Sequence, residues 1–440
     1  MLKRVLAWLL LLASLVAVLS SCSGTAADDL YKLPRSSEEY NRLQARIDDI
    51  LRLGAELAPP LSGANRQSLQ VKDLDGDGLI EAIAFFKFSG DNPLKIYIFK
   101  QENGDYAVAD IIEGSGDAVE RVIYVDMDGD HSSEIVVGWQ MAGTLRHMTL
   151  YKSHALKHTK VAESDYTSLT YCDVTGDMFE DVAAIRLRGT DSDAACELFS
   201  IENDGEVVHY TANMSADVES IARVITGKLS DGATGIFVDG KRRDGQYITD
   251  VFAMTEEGLL KNVPLSATGE AANTERTPVI NSIDITGNGR IEVPIAVALP
   301  SRSETEYYAI EWYDYDSDGT RERVLTTYHN YSDGWYLVLP ESWRGRIAVR
   351  REDTVAGERV IVFSYVSGSA PQEDFMRIFT LTGENREERG TIAGRFVLLS
   401  EGDTLYAAEL SQNLQIPLQI TETAVRERFS RLYADWVTGN

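Results

Sequence analysis

Short apolar segments separated by turn-forming residues dominate this chain from about residue 66 onwards. Their length, their β-branched and aromatic content and the bordering Gly, Asn, Asp and Pro predict β-strands. The first set predicts four strands over 68–72, 81–88, 94–99 and 106–112, with Asn103-Gly104 at the tip of the last hairpin. Similar tips recur at 202–205 and 255–258. We therefore expect an all-β array of four-stranded repeats.

Helical periodicity is confined to the two ends of this array. Ser36 and Glu39 form a capping box before an apolar stripe, which predicts a short N-terminal helix and linker over 36–65. A second stripe predicts a C-terminal helix over 421–440. That stripe comprises Val425, Phe429, Leu432, Tyr433 and Trp436.

Residues 1–21 have the pattern of a targeting signal. Lys3 and Arg4 precede an apolar stretch over 5–19 that is short for a membrane span. Leu19-Ser20-Ser21-Cys22 resembles the lipobox of bacterial lipoproteins, in which the cysteine becomes diacylated. The resemblance implies a mature chain that begins at Cys22, followed by a polar tether over 22–35. It also implies an extracytoplasmic protein anchored to the bacterial membrane by an N-terminal lipid.

Two copies of one acidic loop connect predicted strands in the first two repeats. They read Asp73-Leu74-Asp75-Gly76-Asp77-Gly78-Leu79-Ile80-Glu81 and Asp126-Met127-Asp128-Gly129-Asp130-His131-Ser132-Ser133-Glu134. Three carboxylates at alternate positions, a Gly and a fourth carboxylate suit a hard cation such as Ca²⁺. An EF-hand is excluded, because its bidentate Glu at position 12 is replaced by Ala84 and Val137 and because the flanks are strands.

Two degenerate copies of the loop occur further along the chain. Their candidate ligands are Asp173, Thr175, Asp177 and Asp181 in one loop, and Asp284, Thr286, Asn288 and Glu292 in the other. Fewer charges predict weaker metal sites, the second weaker than the first. The alternative is that these Asp-Gly turns satisfy their own backbone without a metal.

The acidic loop resembles that of FG-GAP and VCBS-type repeats, best known from integrin-α-like β-propellers. In that family the loop joins the first two strands of a blade and binds calcium. The resemblance implies Ca²⁺ as the cofactor and a β-propeller over 66–420, for which we expect seven four-stranded blades, with six as the alternative. The implied ligands are the side chains of Asp73, Asp75, Asp77 and Glu81, the carbonyl of Leu79, and the side chains of Asp126, Asp128, Asp130 and Glu134.

A further acidic cluster, from Asp314 to Glu322, fits the loop pattern but begins too soon after the preceding loop. We interpret it as a hairpin turn between the third and fourth strands of a repeat. An adventitious calcium site is the alternative.

The net charge of the chain narrows the range of partners. The formal net charge of −27 disfavours nucleic acid and anionic lipid headgroups as partners, and it favours a soluble monomer.

Cys172 and Cys196 fall on the first and third predicted strands of one repeat. Two strand spacings exceed the usual reach of a disulfide, so we expect two free thiols.

The sequence contains no known catalytic motif such as His-Glu-x-x-His or Gly-x-Ser-x-Gly. A group of residues near the C-terminal third, Trp343, Arg344 and Arg346, is a candidate ligand contact, with Trp343 expected on an exposed loop. We therefore expect a non-catalytic module that binds a protein or a polysaccharide. The alternative is a carbohydrate-active enzyme, a polysaccharide lyase or glycosidase, because calcium-loop propellers also resemble some polysaccharide lyases.

Overall fold

The computed structural model describes residues 38–432, except 190–191, 203–204, 267, 269–271, 301–304, 354, 368–369, 393 and 413–415. Over this part, the chain forms six antiparallel β-sheets and three α-helices, which confirms the predicted all-β class. None of the helices in these residues has the length and apolar character needed to cross a membrane. The predicted signal (1–21), Cys22, the tether (22–35) and residues 433–440 lie outside the described residues.

The first four sheets are each built on four strands that follow one another in the chain, and the first sheet also includes a short fifth strand. The first sheet consists of β2 (Leu69–Lys72), β3 (Glu81–Lys87), β4 (Leu94–Glu102) and β5 (Asp105–Gly114), with β1 (Glu56–Leu57) paired to β3. The second consists of β6 (Ala118–Val125), β7 (Glu134–Gln140), β8 (Arg146–His154) and β9 (Lys157–Tyr166). The third consists of β10 (Ser168–Cys172), β11 (Asp181–Arg186), β12 (Ala195–Ile201) and β13 (Val207–Asn213). The fourth consists of β14 (Val218–Lys228), β15 (Thr234–Arg242), β16 (Tyr247–Met254) and β17 (Leu260–Asn262).

The last two sheets each contain five strands and depart from sequential order. The fifth consists of β18 (Val293–Leu299), β19 (Tyr307–Tyr315), β20 (Arg321–Asn330), β21 (Trp335–Leu339) and β27 (Phe429–Arg431). The sixth consists of β22 (Ile347–Arg351), β23 (Glu358–Ser367), β24 (Ala370–Thr382), β25 (Arg395–Glu401) and β26 (Thr404–Leu410), with β25 at its edge. The helices are α1 (Glu38–Arg52), α2 (Arg386–Gly390) and α3 (Glu422–Arg428), and a 3₁₀ turn spans Glu341–Trp343.

The strands of the first sheet follow the predicted plan. Lys72 pairs with Glu81 across the mouth of the first acidic loop. The predicted hairpin tip is present, with Asn103 and Gly104 at φ values of 52° and 78° that place both residues in the left-handed region. The pattern of turn residues therefore predicted the strands and the hairpin tip.

The C-terminal helix is shorter than predicted. It ends at Arg428, and Phe429–Arg431 continues as a strand that pairs with β21. Phe429 packs against Trp335 and Tyr406, with ring centroids 5.6 and 5.4 Å apart. Burial of this aromatic ring in a sheet therefore outweighs the helical periodicity of the segment.

Consecutive sheets pack against each other through shared apolar clusters. Each cluster contains residues of two neighbouring sheets. In chain order of the interfaces, one residue from each sheet is Phe85 with Trp139, Val136 with Val182, Ile185 with Phe252, Phe237 with Val293, and Trp335 with Phe363. Among the described residues no such cluster joins the sixth sheet to the first. The α1 helix packs its apolar stripe on the first sheet, against Phe86 and Phe99.

The two cysteines lie on strands separated by β11. Cys172 ends β10 and Cys196 lies on β12, and both are free thiols, as predicted. Burial raises the pKa of the Cys196 thiol above its ordinary value, so this buried thiol is protonated and unreactive at neutral pH.

Candidate functional site

The acidic loops share one backbone framework between two adjacent strand segments. In the first loop, both oxygens of Asp73 accept amide hydrogen bonds, from Gly76 (2.8 Å) and Gly78 (3.0 Å). The last carboxylate, Glu81, accepts from the amide of Leu74 (2.8 Å) and begins β3. These bonds close the loop on itself and hold its carboxylates in place before any ligand binds.

Three carboxylates of the first loop converge. Asp73, Asp75 and Glu81 each offer an oxygen, and these oxygens all lie within 4.8 Å of one another. Burial raises the pKa of Glu81, and the neighbouring aspartates raise it further. A bound divalent cation would offset both effects, and an all-oxygen donor set suits Ca²⁺ or Mg²⁺. The geometry therefore fits the predicted metal site.

The second loop repeats this arrangement with Asp126, Asp128 and Glu134. Glu134 is fully buried, and burial raises the pKa of its carboxyl group to about 7. One difference distinguishes the two loops: Nζ of Lys152, on β8, lies 3.1 Å from Oδ2 of Asp128. An ammonium group therefore already neutralises part of the charge in the second loop.

Some predicted ligands lie outside these clusters. Oδ1 of Asp77 accepts the amide hydrogen of Leu79 (2.7 Å), and Oδ1 of Asp130 accepts that of Ser132 (2.7 Å). Both carboxylates brace the loop backbone, and neither belongs to the converging set of three. The side chain of Leu79 is exposed, and its carbonyl oxygen stays a predicted main-chain ligand.

The degenerate loops keep the framework but replace the central carboxylate by a hydroxyl. Gly176 donates to Asp173 (2.7 Å), as Gly76 does to Asp73. The hydroxyl of Thr175 donates to Oδ1 of Asp181 (3.3 Å), in a position where the first loop has Asp75. Burial raises the pKa of Asp181 to about 6. The fifth position, Asp177, accepts the amide of Phe179 (2.9 Å) and so braces the backbone.

The loop before β18 follows the same plan. The hydroxyl of Thr286 donates to Oε1 of Glu292 (2.7 Å), and Gly287 donates to Asp284 (2.7 Å). Asn288 accepts the amide of Arg290 (2.7 Å). In both degenerate loops the threonine hydroxyl donates a hydrogen bond to the last carboxylate, where the first two loops have a second carboxylate instead. This hydrogen bond favours the metal-free alternative for the degenerate loops.

In the sixth sheet a buried carboxylate is balanced by arginine side chains, which the sequence analysis did not find. Glu358 begins β23, the second strand of its sheet, and is buried. Its carboxylate pairs with Arg395 (3.1 Å) and lies 3.7 Å from Arg389. A guanidinium thus balances the carboxylate. The segment before Glu358 lacks aspartates at alternate positions, so the acidic-loop pattern did not identify Glu358 in the sequence.

The first two loops contact each other directly. The amide of Ser133 donates to the carbonyl oxygen of Leu74 (2.7 Å). Gly76 has a φ of 70°, and a Cβ added there would lie 2.7 Å from the carbonyl oxygen of His131. Glycine is therefore required both by the loop conformation and by its neighbour.

The cluster from Asp314 to Glu322 forms a hairpin turn, as predicted. It connects β19 and β20, and the amide of Thr320 donates to both Asp316 (2.8 Å) and Asp318 (2.7 Å). No converging set of three carboxylates occurs among the described residues of this turn.

The residues of the predicted ligand contact, Trp343, Arg344 and Arg346, differ in their surroundings. The expected exposure of Trp343 is wrong: its side chain is fully buried against Phe363 and Phe375, because the 3₁₀ turn folds it inward. Nε of Arg344 pairs with Glu311 (2.6 Å), while Arg346 is exposed. Trp343 and Arg344 line a small cavity together, and Arg346 is not part of its lining.

A large cavity lies elsewhere, between the fifth and sixth sheets. Its volume is about 920 Å³, within the range of ligand sites. Tyrosines and charged side chains are among the residues that line it, including Glu306, Tyr307, Tyr308, Tyr331, Arg351 and Asp353. The sequence analysis missed this site, although the tyrosine-rich segments 307–308 and 328–331 were a visible signal.

Comparisons with known proteins give no family. No protein-family model and no curated protein matches the chain. Similar solved structures include the exotype rhamnogalacturonan lyase YesX (13% identity, 71% of this chain and 61% of that chain, TM-score 0.26). They also include the Dos1 propeller (10%, 80% and 81%, TM-score 0.32) and Sqt1 from Chaetomium thermophilum (12%, 78% and 96%, TM-score 0.29). The chain thus spans 61% of the length of the lyase YesX.

Proposed function

We propose that this chain is a non-catalytic, lipid-anchored binding module of the bacterial cell surface. The observation that carries the proposal is that two carboxylates of the cavity, Glu306 and Asp353, are already hydrogen-bonded or ion-paired within the protein. Glu306 accepts a hydrogen bond from Tyr308, and Asp353 is held by Arg351 (2.6 Å). Because both acids are engaged, the cavity offers aromatic faces and fixed polar groups, which suit binding of a protein or polysaccharide segment more than proton transfer.

The six sheets are proposed to be blades of a β-propeller. Each sheet packs on the next in chain order, and an acidic loop joins the first two of the four consecutive strands in each of the first three sheets. Six sheets in the described residues favour the six-bladed alternative over the expected seven. A ring of this kind would protect most strand edges from association with other chains.

Calcium is proposed to occupy the first two loops. Asp75→Ala and Asp128→Ala should each lower the number of bound Ca²⁺ ions by about one, because each removes one of three converging carboxylates. Asp316→Ala is the matched control, since its carboxylate lies in the β19–β20 turn. Isothermal titration of the three variants beside the unaltered chain measures the count. Loss of an ion in Asp316→Ala alone would refute the assignment of the loops.

The lipid anchor is proposed from the sequence pattern at Cys22. Two acyl chains hold a protein stably on a membrane, whereas one chain is marginal. Cys22→Ala should therefore move the protein from the membrane fraction to the soluble fraction. Retention of this variant in the membrane fraction would refute the anchor.

The binding role is tested with the full chain in detergent micelles. Sedimentation with insoluble and soluble polysaccharides, and capture on cell-envelope proteins, should show saturable binding without change in the ligand. Conversion of a polysaccharide to shorter products would refute the non-catalytic role.

A carbohydrate-active enzyme is the second candidate, because two carboxylates, Glu306 and Asp353, line the same cavity. Glycosidases use such pairs as acid and base or nucleophile. In that case Asp353→Asn should abolish product formation while ligand binding persists. Assays for new reducing ends and for unsaturated sugar products distinguish hydrolysis from elimination.

A further inference from the structure

The cavity between the fifth and sixth sheets has a tyrosine wall that is recessed yet accessible. Tyr331 leaves 40% of its surface exposed, although burial among its neighbours raises the pKa of its phenol. Tyr331 lines the wall of the cavity. The ring of His329 lies next to it, with centroids 5.6 Å apart, and the ring of Tyr336 lies 5.5 Å from that of His329. Tyr331 is therefore a supported aromatic face open to a ligand.

Polar groups beside this face are already held in position. The backbone amide of Arg351 donates to the phenol oxygen of Tyr307 (3.1 Å). The guanidinium of Arg351 donates to Asp353 (2.6 Å) and to the hydroxyl of Ser332 (3.2 Å). Because these groups are fixed before binding, a ligand that hydrogen-bonds to them does not have to order them.

The charges at the cavity are balanced by internal ion pairs. Arg350 donates to both oxygens of Asp374 (2.7 and 2.8 Å), which holds the pKa of Asp374 at about 2. Arg351 is paired with Asp353, and Glu306 adds a negative charge at the rim. An anionic ligand would have to displace a carboxylate from one of these arginines, at a cost in free energy. The cavity therefore favours an uncharged ligand.

We infer that this cavity binds a neutral oligosaccharide, an inference that rests on the proposed binding function and names its ligand class. The carbon–hydrogen face of a sugar ring packs on the face of Tyr331. Neighbouring ring hydroxyls donate to the carboxylate of Asp353 and accept from the guanidinium of Arg351. A cavity of about 920 Å³ accommodates more than one sugar unit.

The test uses the full chain in detergent micelles and isothermal titration with four probes. These are the neutral tetrasaccharides of β-1,4-glucose, α-1,4-glucose and β-1,4-xylose, with the trimer of galacturonic acid as the anionic comparison. At least one neutral probe should bind, and the anionic trimer should bind at least about tenfold more weakly than that probe.

Two substitutions of Tyr331 then assign the site. Tyr331→Ala should weaken binding about tenfold or more through loss of the aromatic face, whereas Tyr331→Phe should stay within about threefold. Tyr171→Ala is the matched control, because Tyr171 is a comparably exposed tyrosine (48%) on the third sheet. Thermal unfolding of each variant shows that the fold is retained. A Tyr331→Ala variant that no longer unfolds cooperatively is replaced by Ser332→Ala, which should weaken binding to a smaller extent.

The outcomes separate this inference from the proposed function. Binding of a neutral probe that Tyr331→Ala and Ser332→Ala leave unchanged would place the saccharide elsewhere and overturn the inference, while the binding module stands. Preference for the galacturonate trimer would overturn the neutral ligand class. Failure of all four short probes, with polysaccharide or protein capture retained, would overturn the inference and leave the proposed function intact.

Discussion

The choice between aspartate and threonine at one loop position decides whether the buried carboxylate of the loop faces another carboxylate or a hydroxyl donor. Asp75 faces Glu81 without a proton between them, whereas Thr175 donates its hydroxyl to Asp181. Two facing carboxylates repel each other, and a cation removes that repulsion. A hydroxyl removes it without an ion, at the price of a weaker interaction. The pattern of aspartates predicted the first two sites correctly as clusters, but the role of threonine needed coordinates, since a sequence does not show which oxygen faces which.

Replacing that threonine should create a third metal loop. In Thr175→Asp, the donor to Asp181 is lost and a negative charge is added, so the free energy of unfolding should fall without calcium by about 1–3 kcal/mol. With calcium, titration should show one more bound ion than in the unaltered chain. Thr211→Asp is the control, because Thr211 is exposed on β13 of the same sheet. An unchanged count in Thr175→Asp would contradict the hydroxyl-for-metal explanation.

Lys152 should weaken calcium binding in the second loop. Its ammonium lies 3.1 Å from Asp128 and must give up part of that interaction when a divalent cation enters. Lys152→Met keeps the aliphatic stem and removes the charge, so calcium should bind the second loop about three- to tenfold more tightly. Lys100→Met is the control at the corresponding position of the first sheet, where Lys100 pairs with Glu102 (2.8 Å) instead. Equal effects of the two substitutions would show that general charge, and not the contact with Asp128, is responsible.

At the scale of elements, strands and turns were predictable wherever local chemistry determines them. The hairpin at Asn103-Gly104 and the turn at 316–320 follow from residues within the turn itself. The strand Phe429–Arg431 did not follow, because its partner β21 lies far away in the sequence. The inward turn at Trp343 was missed for the same reason: its contacts with Phe363 and Phe375 are made by the sixth sheet.

The C-terminal strand should contribute substantially to the stability of the last two sheets. Phe429 is nearly buried and contacts both Trp335 of the fifth sheet and Tyr406 of the sixth. Phe429→Ala should lower the free energy of unfolding by about 3 kcal/mol through loss of burial and the cavity left behind. Phe429→Leu, which keeps most of the apolar volume, should cost about half as much or less. Denaturant unfolding measures both values, and equal costs would argue against a packing role.

At the scale of the whole molecule, the buried carboxylates of the loops are balanced in different ways. Converging carboxylates occur in the first two sheets, hydroxyl-bridged loops follow, and the sixth sheet uses arginine. The sequence predicted the all-β repeat plan, because the first four sheets repeat a similar succession of strands and turns. Blade number was less predictable, since the last sheets take strands out of chain order and so break the spacing on which the count relied.

Chelation of calcium should therefore loosen one part of the molecule more than the other. Amide hydrogen exchange with a chelator should accelerate in the first and second sheets, over residues 69–166, because their loops then hold unbalanced carboxylates. Exchange over 347–410 should change little, since Arg395 balances Glu358 there. The same measurement on Asp75→Ala with calcium present should accelerate exchange mainly in the first sheet. Uniform acceleration along the whole chain would contradict local dependence on the metal.

The pairing of Glu358 with Arg395 has a further consequence for the environments in which the molecule works. Because the counterion of Glu358 is a side chain of the same protein, it stays in place whatever the ion concentration of the medium. The cavity lies beside this self-sufficient sheet and includes no residue of the first two loops. We therefore expect ligand recognition to be insulated from the mineral content of the surroundings, while the first two sheets stiffen or relax with it.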